Sequence, residues 1–419
     1  DLALLPLACS RVNGAYEDTA ATSDRPVGSS TSAGVPTTAT TDPPVATRAG
    51  SGTTGASLTA TQGSDSTGQP IECAGVRALR IAANPQMQRA RPVQRSGQTE
   101  LVHRAPNGEL LAVAVDLDGP YDSQPLGIIA DTDWLVTSDG QNLAVVSDVP
   151  VPTVWIHDGG GPPLPMNNLT ITTFPYRGFS WQGSELRLTP IGSPTRNTAE
   201  LMTIDVSTLV PSTLPLETAV DWASSAFVGN TGVMVVENNL PETNCRTAPI
   251  PPRGGAGNPT VFQGVTCSAP TVDWRPGDHA VVGFHEGVAL GSSIAWIVLL
   301  GGDAQLLSPW PLPPDQGIQH GVGNTREAFV DVMALDADRY WVVWDSGANQ
   351  RADLYRVEFR GPDPVALSAQ RSIAFARPAS EFKQTFVLDG HPAVVFANQA
   401  PDYEDGPGLY VVVDCSIDA

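Results

Sequence analysis

Short apolar runs, roughly four to eight residues long, alternate with clusters of Gly, Asp, Asn and Pro along most of this 419-residue chain. Residues 339–359 (RYWVVWDSGANQRADLYRVEF) set the plan: a strand, a polar turn, a second strand. Residues 391–413 (HPAVVFANQAPDYEDGPGLYVVV) repeat it, and looser copies stand at 109–130, 142–157, 184–205, 232–250 and 279–300. Within 339–345, Tyr340, Val342 and Trp344 fall on one side and Trp341 and Val343 on the other. Both sides are therefore apolar, as in a sheet covered on both faces. Long helices are hard to find, since STLVPSTLPLETAV (207–220) is interrupted twice by proline.

The copies begin at intervals of about 47 residues on average, and a period near 40–50 with several strands per unit is the mark of a β-propeller. The pattern predicts an all-β domain over 71–419 with seven blades, six being the alternative count and a β-sandwich pair the alternative architecture. Composition agrees: Gly 40 and Pro 38 supply turns, and 41% hydrophobic residues supply a core.

Residues 10–70 differ sharply. They are Ser, Thr, Ala, Gly and Pro with little to bury, the composition of a flexible tether, with a span of about 40 Å for a chain of that length. Residues 1–9 form a short apolar run, too short to cross a bilayer, and fit the end of a signal peptide. The formal net charge of -21 argues against nucleic acid as a partner, because phosphate binding needs a basic surface. A monomer without cofactor is expected.

Of the five cysteines, Cys73, Cys245, Cys267 and Cys415 make an even set that reads as two disulfides, for which sequence alone allows three connectivities. Cys245 and Cys267 flank a Pro/Gly-rich excursion that a bridge would close into a loop. The other bridge then joins Cys73 to Cys415, at the two ends of the propeller, and clasps the ring. CxxC spacing, which a zinc site would favour, is absent.

Cys9 is left over. The stretch LALLPLACS (2–10) resembles the lipobox of bacterial lipoproteins: Ala8 holds the small-residue position before the cysteine, Leu7 is tolerated, and Pro6 departs from the usual leucine. The resemblance implies acylation of Cys9 and attachment to a membrane. Ser10 in the next position implies the outer membrane or cell surface, with a periplasmic or secreted protein cleaved near Ala8 as the alternative.

Chemistry is less legible. TSDGQNLAVV (137–146) resembles part of the aspartate box of sialidase-like propellers, with Gly140 one place early and the tryptophan missing. DLDGPYD (116–122) and DADRYW (336–341) resemble Asp-rich calcium loops, but neither holds a full run of oxygen ligands, so no metal is expected and hairpin turns account for both. The histidines are His103, His157, His279, His285, His320 and His391; WIHDGGG (155–161) sets His157 beside Asp158 and three glycines. GxSxG, HExxH and GxGxxG are absent, and no catalytic residue is assigned. Trp181, Trp274 and Trp310 stand beside turn residues, either at a mouth of the ring or packed between blades. The order of anchor, tether and rigid domain predicts a binding or scaffold module of the bacterial envelope whose ligand is a protein or glycan. The competing reading is a secreted hydrolase or lyase acting on polysaccharide.

Overall fold

A computed structural model describes residues 73–416 apart from breaks between strands, the longest at 167–177, 251–259, 302–317 and 375–383. Cys9, the segment 10–70, Cys267, Trp310 and residues 336–338 of DADRYW lie outside the described residues.

The strands form seven antiparallel sheets among the described residues, each with four strand positions. The first sheet is Ala90–Arg95, Gln98–Arg104, Glu109–Val115 and Ser123–Ile129. The second is Trp134–Ser138, Leu143–Ser147, Thr153–His157 and Leu164–Met166. In the third, Phe179–Gln182 is followed by Glu185–Leu188, which Ile191–Gly192 continues, and then by Thr198–Asp205 and Val210–Glu217. The fourth starts at Val220–Val228 and the fifth at Ser268–Trp274. The sixth runs from Phe329–Ala334 through Arg339–Ser346 and Arg351–Arg360 to an outer position shared by Asp363–Val365 and Gln370–Ala374.

The last sheet joins both ends of the domain. Gln384–Leu388, His391–Asn398 and Gly408–Asp414 come from the C-terminal end, and its outermost strand is Val76–Ala82. The first strand of every sheet touches the first strand of the next, and Ala90–Arg95 touches Gln384–Leu388, so the sheets close into a ring. The chain is a β-propeller.

Apolar layers between sheets hold the ring. Leu101, Val113 and Val115 of the first sheet pack on Leu409, Val411 and Val413 of the last. The alternate residues Tyr410 and Val412 face Trp341 and Val343 of the sixth sheet. All seven residues of Gly408–Asp414 are buried, because a blade has a neighbour on each side. The expected alternation at 339–345 holds for Trp341 and Val343, which are buried on the same face.

The closing pairing is tight. Val76 lies opposite Asp414 and Leu79 opposite Val411, Cys415 N donates to Gly75 O at 2.8 Å, and Cys73 is joined to Cys415 with Cα atoms 5.4 Å apart. A side chain at Gly408 would collide with the Ala82 carbonyl, so glycine permits this close approach of the two strands. Arg80 Nη2 donates to Pro407 O at 2.9 Å across the same pair.

Most sequence copies correspond to the second and third strands of a sheet, as at 142–157, 232–250, 279–300, 339–359 and 391–413. The copy at 109–130 is one position out of phase and holds the third and fourth strands. The reason is chemical: Gln98–Arg104 places Glu100 and His103 at buried positions, so its polarity hid the second strand.

Candidate functional site

Hairpin turns at one end of the ring bring residues distant in sequence together. Ser96 and Gly97 (φ 53° and 77°) connect the first two strands of the first sheet, and Asp389 and Gly390 (φ 50° and 80°) do the same in the closing sheet. Positive φ at both central residues is the two-residue turn whose twist matches the flanking strands. Its αL conformation suits glycine and, among residues with side chains, aspartate.

Between these turns lies an open recess of about 420 Å³, lined by Gln94, Gly97, Gln98, Thr99, Ala114, Val115, Asp116, Val387, Asp389 and Gly390. Gln94 lies opposite Thr99, which lies opposite Val115, so the three strands present these side chains on one face, above the apolar layer to the closing sheet. Gln94 Nε2 donates to Thr99 Oγ1 at 2.8 Å.

Asp116, the first residue of the loop DLDGPYD, completes the lining. Asp116 Oδ1 accepts from Asp118 N (2.9 Å) and Gly119 N (2.7 Å), and Tyr121 Oη donates to Asp116 O at 3.0 Å. The loop is tied across the ring junction: Leu117 N donates to Asp389 Oδ2 at 3.2 Å and Arg77 Nη2 donates to Leu117 O at 3.1 Å. Burial, reinforced by the nearby Asp116 carboxylate, pushes the Tyr121 phenol up to about 12, so it stays protonated as a donor.

Asp116 belongs to a recurring device that the sequence reading missed. At the end of the third strand in four sheets stands an aspartate whose Oδ1 accepts from backbone N–H groups two or three residues on: Asp116, Asp158 (to Gly161 N, 3.0 Å), Asp205 (to Ser207 N, 2.8 Å) and Asp414 (to Ser416 N, 3.2 Å). These are Asx turns. The repeated D-x-S of IDVST (204–208) and VDCSI (413–417) was the available signal, and both serines also donate Oγ to the aspartate.

Asp139 in TSDGQN is likewise absorbed in its turn, accepting from Gln141 N, Asn142 N and Asn142 Nδ2. Slight burial works to raise its pKa, but these hydrogen bonds outweigh it and hold the carboxyl below its usual value.

On the other face of the first sheet Arg95 holds Glu100 through Nη2 at 2.9 Å and Nε at 3.1 Å. His157 feels this pair: burial lowers its pKa first and Arg95 adds to that, with Asp158 opposing. Gly159 N donates to His157 Nδ1 at 3.1 Å, which places the neutral ring's proton on Nε2.

His279 and His285 sit six positions apart on one strand, opposite Gly301 and Ala295, a separation of about 20 Å at ordinary strand rise. His320 pairs with Ser293 in an outer strand. Trp181 is core, packed with Leu135 and Val146 of the second sheet, its Nε1 donating to Gly183 O at 3.0 Å. Trp274 lies in a strand opposite Ala280 and Cys245 opposite Phe262, their side chains outside the description. Among the described residues, no group of three or more His, Cys, Asp or Glu could hold a metal ion.

His103 is fully buried in the first sheet, its Nε2 3.1 Å from Ser123 Oγ, and burial lowers its pKa from 6.5 to about 4. Between those values the unfolded chain binds the extra proton, so stability falls as pH drops below about 6.5, by roughly 2–4 kcal/mol at pH 4. Denaturant titrations from pH 7 to pH 4 should show this slope, and His103→Gln should flatten it; an equal slope in both proteins would refute the assignment.

No protein-family model and no curated protein matches the chain. Solved structures similar to it include the SapL1 lectin in complex with alpha methyl fucoside, at 11% identity and TM-score 0.42, covering 70% of this chain and 96% of that one. U3-55K is similar at 14% identity and TM-score 0.48, covering 82% and 99%. The WD40 domain of Toxoplasma gondii coronin is similar at 9% identity and TM-score 0.48, covering 81% and 86%. At these levels the fold rests on the sheet topology itself, and nothing about ligand or activity transfers.

Proposed function

We propose that this chain is an exported propeller, held to the bacterial envelope by a lipid on Cys9, that works as a binding module with its ligand site at the turn end of the ring. The observation that carries the reading is the recess at the junction of the first and closing sheets, whose polar groups are already fixed by backbone hydrogen bonds. Such fixing lowers the entropy a ligand's arrival must overcome. Export is supported by the Cys73–Cys415 pair, because disulfides persist in oxidising compartments. The reading includes seven blades, supported by the seven sheets and the closed cycle of contacts between their first strands. It also includes a second bridge between Cys245 and Cys267, and a flexible tether over 10–70 that lifts the ring from the membrane.

Two measurements test it. The full chain produced in a bacterial host should partition into detergent and incorporate labelled fatty acid, while Cys9→Ala should do neither; a variant still held by the membrane overturns the anchor. The detergent-solubilised chain should co-sediment with purified, protein-stripped envelope polysaccharide. Absence of co-sedimentation overturns the glycan-binding form of the reading, and new reducing ends would move the protein to the hydrolase class.

A further inference from the structure

Resting on the proposal that the turn end is a binding site, we infer that the recess takes a neutral saccharide residue, gripped through neighbouring hydroxyls by Asp116 and Asp389. Each carboxylate has one oxygen committed to the protein: Asp116 Oδ1 to two backbone N–H groups, Asp389 Oδ2 to Leu117 N. Asp116 Oδ2 and Asp389 Oδ1 carry no hydrogen bond among the described residues, and both side chains line the recess. Two fixed acceptors, one from each sheet, suit a ligand with adjacent O–H donors.

The remaining lining narrows the class. Gln98 offers both a donor and an acceptor, as a sugar hydroxyl needs, and the exposed Val387 offers apolar surface for the C–H groups of a ring. Among the described residues that line the recess there is no Lys, Arg or His, so an anionic sugar would meet the two carboxylates with no cationic side chain in the lining. A volume near 420 Å³ is at the small end of ligand sites and fits one or two sugar rings. The turn glycines leave the rim open: a Cβ at Gly97 or Gly390 would meet nothing within 4 Å.

The test uses the full detergent-solubilised chain, methyl glycosides of neutral hexoses and the matching uronic acids, read by ligand-observed saturation-transfer NMR and calorimetry. Neutral glycosides should bind and uronates should bind about tenfold more weakly or not at all. Asp116→Asn and Asp389→Asn should each weaken binding by about 10–100-fold. Both variants keep the fold, since asparagine also makes Asx turns and accepts positive φ, and unchanged thermal unfolding checks this.

Several outcomes overturn the inference: neutral glycosides bound equally by both variants, uronates or amines preferred over neutral sugars, or binding abolished by EDTA, which would make the recess a cation site. If the chain still sediments with envelope polysaccharide while both variants behave as the parent, the saccharide site lies elsewhere and the binding-module reading stands. If the parent itself neither sediments nor binds any glycoside, both fall.

Discussion

Trp341→Ala should cost about 3–5 kcal/mol of unfolding free energy. The indole is 1% exposed and fills the layer between the sixth and closing sheets, against Met333, Val343, Val394, Phe396, Tyr410 and Val412. Truncation removes the transfer free energy of a large aromatic and leaves a cavity that sheets tied at both neighbours cannot collapse to fill. The layer is otherwise ordered: the Phe396 and Tyr410 rings stack with centroids 5.9 Å apart, and Tyr410 Oη donates to Gly406 O at 2.5 Å. Urea unfolding of Trp341→Ala and Trp341→Phe measures the effect. Phenylalanine should recover much of the loss because it refills most of the volume. A cost below about 1 kcal/mol for alanine would mean that the closing junction is not packed as described.

The second large effect is expected at the clasp. Cys73→Ala should destabilise the oxidised protein by roughly 2–5 kcal/mol, because the bridge joins residues 342 positions apart and removes much of the unfolded chain's freedom. The bridge also holds Val76–Ala82 against Gly408–Asp414, the pairing that completes the ring. Without it that pairing must be re-formed across nearly the whole domain at full loop-closure cost. The signature is specific: a reducing agent should bring the parent protein close to the level of Cys73→Ala and leave the variant almost unchanged. A parent protein indifferent to reductant would remove the clasp from the account of stability.

Several elements were legible along the chain. Gly408–Asp414 stood out because both of its faces are buried and nearly all its residues are apolar, and Arg339–Ser346 because of its run of Tyr, Trp and Val. The pairing of Cys73 with Cys415 was readable from counting and placement of cysteines. Gln98–Arg104 was not, since Glu100 pairs with Arg95 and His103 with Ser123, burying polar groups that a hydrophobicity pattern reports as surface. DLDGPYD reads as a turn and is one, but its contact with Asp389 involves residues 272 positions apart that no local pattern links.

The recess shows the division most plainly. Its residues come from 94–99, 114–116 and 387–390, and each segment alone is an ordinary turn or strand end. The strand plan, its period and the cysteine arithmetic could be read along the chain, because alternation, turn chemistry and repeat length follow from local stereochemistry and burial of one unit against the next. That Val76–Ala82 completes the last sheet, that His103 is sealed in the core, and that Asp116 and Asp389 line one recess emerges with the folded ring alone. Those depend on closing the ring, a global packing event in which residues at opposite ends of the domain become neighbours and the polar groups caught at the seam acquire their partners.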